Sequence, residues 1–145
     1  MIAGIGVDLC ELARLERVLA ERSGARFRTR VFTPAEIRYC EQRRRTATQS
    51  YAGIFAAKEA ALKALGTGWS KGLGWHSVEV VHDDGGAPAL VLHDAARTLA
   101  RRRGITDAYI TICHAGALAV AVVVLEGRAA RAAGSPRRTA RPRSQ

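Results

Sequence analysis

The sequence contains few of the residues on which several classes of protein depend. Among 145 residues there are only 3 cysteines, and aromatic residues make up 6%. Cys10, Cys40 and Cys113 lie far apart, so we expect neither a disulfide framework nor a cysteine-ligated zinc site. Aromatic rings for base stacking are sparse and no common nucleic-acid-binding motif occurs, so we do not expect nucleic acid as a partner.

Long apolar segments and targeting patterns are also missing. No run approaches the roughly 20 apolar residues that a membrane-spanning helix needs. The first residues, Met1-Ile2-Ala3-Gly4, lack the charged and then apolar pattern of a signal peptide. We therefore expect a cytoplasmic protein with no membrane partner. The absence of a P-loop and of a G-x-S-x-G elbow excludes the commonest nucleotide-triphosphatase and serine-hydrolase sites.

Positive charge is abundant and unevenly distributed. The net charge is +10, and residues 127–145 supply +6 of it through six arginines with no acidic residue. That segment has too little apolar surface to fold alone, so we predict a folded domain over residues 1–126 and a disordered basic tail over 127–145. A second group, the arginine cluster, lies inside the domain and suits an acidic or phosphorylated partner. It comprises Arg14, Arg17, Arg22, Arg26, Arg28 and Arg30.

The pattern of apolar residues predicts an α+β domain with a mainly antiparallel sheet and packed helices. A strand is predicted over residues 2–8, with Gly4, Gly6 and Asp8 on a face that another part of the molecule can approach closely. Thr33-Pro34-Ala35-Glu36 combines a capping box with a proline and predicts a helix start. The predicted helices cover residues 9–22, 33–43, 48–65 and 94–103, and the further strands cover 78–82, 89–92, 108–113 and 118–125.

The alanine-rich helix carries a charged pair that packing does not require. Glu59 and Lys63 are four residues apart and project on the same side of the helix. They suit an ordinary surface ion pair, and equally a metal-ligating carboxylate beside a phosphate-binding lysine.

Asp8 and His114 also have two interpretations each. Asp8-Leu9-Cys10-Glu11 is a capping-box pattern that would make Asp8 the N-cap of the first helix. A carboxylate after a glycine-spaced strand also suits Mg²⁺, which takes one or two protein carboxylates together with water and phosphate oxygens. His114 ends an apolar strand, where a structural role and a ligand-binding role both fit. The other histidines show no metal-ligand spacing and are predicted on the surface: His76, His82 and His93.

Taken together, these motifs resemble the holo-[acyl-carrier-protein] synthases, the short 4′-phosphopantetheinyl transferases. The similarity covers residues 1–126 in order. The segments that carry it are Gly4-Ile5-Gly6-Val7-Asp8-Leu9, Glu11, Arg14, Thr33-x-x-Glu36, Phe55-Ala56-Ala57-Lys58-Glu59-Ala60, Lys63 to Gly68, Val78-Glu79-Val80, Gly86-Ala87-Pro88 and the strand ending at His114.

The resemblance implies a phosphopantetheinyl transferase-like fold and a specific reaction. The 4′-phosphopantetheine arm of coenzyme A is transferred to a serine of an apo acyl carrier protein, with Mg²⁺ as cofactor and release of adenosine 3′,5′-bisphosphate. It also implies a homotrimer with active sites between subunits. By position it implies these roles: metal binding for Asp8 and Glu59, phosphate contact for Lys63, coenzyme A binding for Pro88 and His114, and carrier-protein docking for Arg14.

The chemistry of those residues agrees with the implied reaction. Transfer of a phosphorus group needs charge neutralisation and positioning more than covalent help from the protein. Glu59 and Lys63 are therefore the predicted catalytic residues. The serine proton needs an acceptor, which is either Glu59 or a metal-bound water.

Two positions depart from the family pattern. Ile54 stands where an arginine usually helps to hold coenzyme A phosphate, with Arg43, Arg44 and Arg45 as candidate replacements. Cys113 stands where a serine or threonine usually precedes the histidine. Two alternative functions are a small basic nucleic-acid-binding protein and a catalytically weak homologue that acts as an interaction subunit. The carrier protein could belong to fatty-acid or to polyketide synthesis.

Overall fold

A computed structural model describes residues 1–68 and 72–128, so residues 69–71 and most of the predicted tail, 129–145, lie outside the described part. The elements in chain order are β1 (Ile2–Glu11), α1 (Leu12–Ala20), α2 (Gly24–Val31), α3 (Pro34–Gln42), α4 (Ala47–Ala64), β2 (Val78–His82), β3 (Pro88–Leu92), α5 (Asp94–Arg102), β4 (Ile105–Ala115) and β5 (Leu118–Gly127). Within these residues, no helix has the length and apolarity to cross a membrane.

Both sheets are antiparallel, which confirms the predicted α+β class. β5 lies between β1 and β4 in a three-stranded sheet, and β2 pairs with β3 in a separate hairpin. In the larger sheet Asp8 lies opposite Ala121, and His114 lies opposite Ala119. Asp8 and His114 therefore occupy the two outer strands of the same sheet.

Helix α4 forms the centre of the core and packs closely on β1. Its alanines from Ala52 onwards are almost fully buried, and the strand presents Gly4 and Gly6 to the helix. A Cβ atom on Gly6 would lie 2.8 Å from the backbone nitrogen of Ala64 and 2.9 Å from the carbonyl carbon of Ala60. The predicted close approach at the glycine face is thus made by α4 itself, and it fixes the position of α4 relative to Asp8.

The start of the chain differs from the sequence prediction. β1 continues through residues 9–11, which pair with 118–120 of β5, so the strand does not end at Asp8. The ladder hydrogen bonds of this pairing outweigh the local capping pattern. The N-cap of α1 is Glu11, so the interpretation of Asp8 as N-cap is wrong. The predicted helix over 9–22 is shorter in the structure, where it is α1, and the prediction missed α2, which follows it.

The other helices agree closely with prediction. The capping box of α3 is confirmed: the Glu36 backbone N–H donates to Thr33 Oγ1 at 3.2 Å, and the Thr33 N–H donates to the Glu36 carboxylate at 2.8 Å. α4 begins and ends within one residue of the predicted 48–65. Gly66 follows it with φ 64°, a backbone conformation that favours glycine.

The sheet face turned away from α4, here called the outer face, is apolar and exposed. Ile5, Val7 and Leu9 of β1 are 61%, 54% and 57% exposed, and Tyr109 of β4 is 56% exposed. These positions alternate with the buried ones along each strand, as expected for a sheet with one covered face. A continuous apolar surface of this kind commonly marks a protein–protein contact.

Candidate active site and ligand cleft

β1 and α4 bring three of the predicted site residues together. The Lys63 Nζ donates to an Asp8 carboxylate oxygen at 2.6 Å and to the backbone carbonyl of Val7 at 3.1 Å. Glu59 lies one turn before Lys63 on the same side of α4. The Lys63 ammonium and the Asp8 carboxylate therefore meet across the strand–helix contact, one turn of α4 from Glu59.

The donor set of this group fits Mg²⁺. The Asp8 side chain is 19% exposed, on a strand whose position is fixed by the helix beneath it. Among the described residues, no group of three or more histidine, cysteine or acidic side chains could enclose a metal ion. Two carboxylates are the protein contribution that Mg²⁺ commonly uses, because water and substrate phosphate oxygens complete its octahedron. Asp8 and Glu59 are the two carboxylates that would hold the ion here.

A second group of predicted residues lies in a cleft of about 300 Å³ on another side of α4. Pro88, at the start of β3, and His114, near the end of β4, both line it. Asp8, Glu59 and Lys63 do not line this cleft. Within one chain the predicted residues therefore form two separate half-sites.

Ile54 and Arg43 meet in this cleft. Ile54 is 1% exposed and forms part of its apolar wall. Of the three arginines proposed as replacements, Arg43 is the one that lines the cleft. Its guanidinium carbon lies 4.2 Å from the centre of the Tyr39 ring, which is stacked on His82 with 3.8 Å between ring centres and 6° between planes.

The stack changes the interpretation of His82, which was predicted as a surface residue. Its ring is partly buried against Tyr39 and lines the cleft. Burial lowers the pKa of His82, and the positive charge of Arg43 lowers this pKa further. The stacked pair therefore presents a mainly neutral imidazole, and Arg43 is the fixed positive charge at this side of the cleft.

Arg14 borders a small groove beside α1. The groove has a volume of about 190 Å³, and its other walls include Leu15, Val18, Phe27 and Phe55. Arginine beside an apolar groove is a common arrangement at sites that dock a charged helix with apolar anchors.

Arg28 is the member of the arginine cluster whose charge is paired with Glu41. Its guanidinium donates to Glu41 at 2.7 Å, and the Tyr51 hydroxyl donates to the same carboxylate oxygen at 2.8 Å. The hydrogen bond from Tyr51 lowers the pKa of Glu41, and the contact with Arg28 adds to that shift. Arg28 thus joins α2, α3 and α4, and its charge is already paired inside the domain.

Sequence reasoning did not single out Lys58, which is fully buried in an ion pair with Glu36 at 2.9 Å. Its Nζ also donates to the carbonyls of Trp75 and Val78, at 2.9 and 2.6 Å. Glu36 in turn accepts from the backbone N–H groups of Thr33 and Val80. Burial lowers the pKa of Lys58, against the opposing effect of the Glu36 carboxylate. The pair connects α3, α4 and β2. The sequence feature that could have predicted it is a lysine on the apolar side of a buried helix.

Comparison with known proteins identifies the family. The family model of the 4′-phosphopantetheinyl transferase superfamily matches residues 4–122. The chain is 50% identical over 129 residues to a holo-[acyl-carrier-protein] synthase of Anaeromyxobacter dehalogenans, covering 88% of this chain and 98% of that one. A synthase from Geobacter sp. is 47% identical over 126 residues, covering 87% of this chain and 99% of the relative.

Solved structures agree with this assignment. The holo-[acyl-carrier-protein] synthase of Neisseria meningitidis matches with a TM-score of 0.78 and 31% identity, covering 87% of this chain and 99% of that one. The synthase of Helicobacter pylori, solved in complex with coenzyme A, matches with a TM-score of 0.73 and 31% identity, covering 84% and 99%. With the fold and these relatives in agreement, the chain belongs to the holo-[acyl-carrier-protein] synthases of the 4′-phosphopantetheinyl transferase superfamily.

Proposed function

We propose that the chain transfers the 4′-phosphopantetheine arm of coenzyme A to a serine of an apo acyl carrier protein, with Mg²⁺ as cofactor and adenosine 3′,5′-bisphosphate as the second product. The observation that carries the proposal is the contact of Asp8 with Lys63, one turn from Glu59, on a strand and helix in van der Waals contact. The coenzyme A complex of the Helicobacter pylori relative supports the choice of donor.

Charge neutralisation in the proposed reaction involves three side chains, those of Asp8, Glu59 and Lys63. When bound by the two carboxylates, Mg²⁺ supplies positive charge to the pyrophosphate oxygens, where negative charge develops during transfer. Lys63 is 52% exposed, so its ammonium group can contact a phosphate oxygen while its stem stays against β1. The proton of the attacking serine would pass to Glu59 or to a metal-bound water.

The cleft is the proposed site for the remaining part of coenzyme A. Pro88 and His114 line it, as the family resemblance implies, and Arg43 supplies the positive charge that Ile54 does not. Arg43 is held by its contact with the Tyr39 ring, so little side-chain freedom is lost when it binds a phosphate. Weakened binding of coenzyme A by Arg43→Ala would support this assignment, and unchanged binding would contradict it.

A homotrimer would bring the two half-sites together. Asp8 lies on β1 and His114 on β4, the opposite outer strands of the sheet, and Lys63 and Glu59 lie away from the cleft. The outer face supplies an apolar contact surface, with Ile5, Val7 and Leu9 more than half exposed. Packing copies around a three-fold axis would bury this surface and place the β1 side of one copy near the cleft of the next. The number three comes from the family resemblance, and light scattering of the purified chain tests it.

Arg14 is the proposed docking residue for the carrier protein. Its charge suits an acidic recognition helix, and the neighbouring apolar groove suits an apolar side chain of that helix. Opposite charges of this kind mainly raise the association rate and the specificity. The other arginines of the arginine cluster extend the positive surface, whereas Arg28 is paired with Glu41.

Intact-mass spectrometry tests the reaction directly. An apo carrier protein incubated with the chain, coenzyme A and Mg²⁺ is expected to gain the mass of one phosphopantetheine group, and adenosine 3′,5′-bisphosphate is expected in the small-molecule fraction. A carrier variant with its acceptor serine replaced by alanine is the matched control. No gain with any of several acidic carrier proteins would contradict the proposal and favour the alternative of an interaction subunit.

A further inference from the structure

Gly53 lies in α4 at the place where β4 crosses the helix, inside the cleft. Its backbone is helical, without a positive φ, so the conformational freedom of glycine is not what the position requires. Glycine is a poorer helix former than alanine, and the rest of this helix is rich in alanine. The reason for a glycine here must therefore be space.

The space at Gly53 is taken by two side chains of β4. A Cβ atom on Gly53 would lie 2.9 Å from Cγ2 of Ile112 and 3.4 Å from Nε2 of His114. Cγ2 of a β-branched residue is bonded directly to Cβ and cannot swing away without a change of rotamer. A methyl group at position 53 would therefore push β4 away from α4 at Ile112 and His114.

The position of His114 against α4 determines which ring nitrogen can meet a ligand. Nε2 of His114 lies 2.9 Å from the backbone carbonyl oxygen of Gln49, in the first turn of α4. A carbonyl oxygen only accepts hydrogen bonds, so Nε2 carries the proton and donates it. Nδ1 is then the ring nitrogen left for a ligand in the cleft: it accepts when the ring is neutral and donates to a phosphate oxygen when it is protonated.

We propose that Gly53 is a positioning residue for His114: by leaving out a Cβ atom it lets the imidazole dock on the Gln49 carbonyl and present Nδ1 to the phosphate-bearing ligand of the cleft. The identity of that ligand as coenzyme A rests on the proposed function. The docking of His114 does not, because it is a property of the chain without any ligand.

The first test measures the tautomer of His114 without ligand. The chain has 4 histidines, so ¹⁵N spectra of the imidazole nitrogens can be assigned with a His114→Gln variant. At a pH of about 8.5, above the ordinary histidine range, His114 should show a protonated Nε2 and an unprotonated Nδ1. Gly53→Ala should convert this signal to a mixture of tautomers. A wild-type His114 protonated on Nδ1 would overturn the proposal whether or not any variant folds.

Two further variants distinguish a specific effect on the position of His114 from a general disturbance of the fold. Gly74→Ala is the matched control, because Gly74 has a negative φ and nothing within 4 Å of its Cβ position; the His114 spectrum should not change. The double variant Gly53→Ala/Ile112→Ala removes the Cγ2 atom that the new methyl group would meet. It should restore the wild-type tautomer signal, and failure to restore it would contradict the steric argument.

The second test measures coenzyme A binding by calorimetry together with the kinetics of transfer. Gly53→Ala should weaken coenzyme A binding about tenfold, the change expected for loss of one charge-assisted hydrogen bond, and leave kcat within about twofold. No binding of coenzyme A to the wild-type chain would refute the proposed function and leave the tautomer result standing. Wild-type binding with an equal affinity in Gly53→Ala would refute the positioning role instead.

Discussion

Replacing Gly6 by alanine tests the contact that places Asp8 beside α4. The added Cβ atom would fall on the carbonyl oxygen of Ala60, and it would lie 2.8 Å from the backbone nitrogen of Ala64. Ordinary Cβ contacts are longer than about 3.4 Å, and these neighbours are backbone atoms of a rigid helix, so β1 and α4 must separate. We expect β1 to shift by about 1 Å relative to α4, and this shift would separate Asp8 from Lys63.

Gly6→Ala should lower both the free energy of unfolding and the rate of transfer. Overpacking of this kind destabilises a core by about 1–3 kcal/mol and more where backbone must move, so Gly6→Ala should lose at least about 3 kcal/mol in urea unfolding. A displacement of about 1 Å in a catalytic group lowers the rate by about 100-fold. Transfer measured by intact mass, at a temperature where the variant is folded by circular dichroism, should fall by this factor.

Gly74→Ala is the control for this experiment, because its Cβ position is open. It should leave the rate unchanged and raise the free energy of unfolding by no more than about 1 kcal/mol, because alanine reduces the freedom of the unfolded chain. A Gly6→Ala variant with wild-type stability and a rate within about threefold of wild type would contradict the claim that close packing of β1 on α4 positions Asp8.

Three further predictions concern other parts of the molecule. Lys58→Met should destabilise the chain by about 3–5 kcal/mol in urea unfolding, because it leaves the Glu36 carboxylate buried without its partner; a loss below about 1 kcal/mol would contradict this. Glu41 has a lowered pKa in the folded chain, so it stabilises the fold above the ordinary glutamate range and this contribution is lost as the pH falls through that lowered pKa. Glu41→Gln should therefore show a flatter loss of stability in acid than wild type, and identical pH profiles would argue against the contribution. Arg14→Glu should raise the KM for the carrier protein at least about tenfold with little change in the KM for coenzyme A, whereas the same reversal at Arg97, exposed on α5, should change neither.

Where local signals and tertiary structure agree, the sequence predicts the elements closely. α3 and α4 have their own start and stop signals: the Thr33 capping box begins one, and Gly66 follows the other. The glycine face of β1 correctly predicted a close approach, and the packing of α4 on Gly6 supplies it. These signals act over a few residues, so they can be read without knowing which elements pair.

Local sequence patterns gave wrong predictions where contacts between residues distant in sequence determine the structure. The capping pattern that begins at Asp8 is sound by itself, but residues 9–11 gain a complete ladder with β5, more than 100 positions away. Helix α2 was missed because three of its eight residues are arginines, and one of them, Arg28, is stabilised by Glu41 on another helix. The contact of Lys63 with Asp8 likewise joins residues 55 positions apart, so spacing along α4 alone could not reveal it.

The dependence of transfer on Mg²⁺ in carboxylate variants tests the central claim most directly. The rate of phosphopantetheine transfer would be followed by intact mass across a Mg²⁺ titration for wild type, Asp8→Asn and Glu59→Gln, with folding checked by circular dichroism. We predict that EDTA abolishes wild-type transfer and that each variant loses at least about 100-fold in rate and needs more Mg²⁺ for half-maximal activity. Wild-type transfer that survives EDTA, or folded variants with an unchanged rate and Mg²⁺ requirement, would contradict the assignment of Asp8 and Glu59 as the metal site.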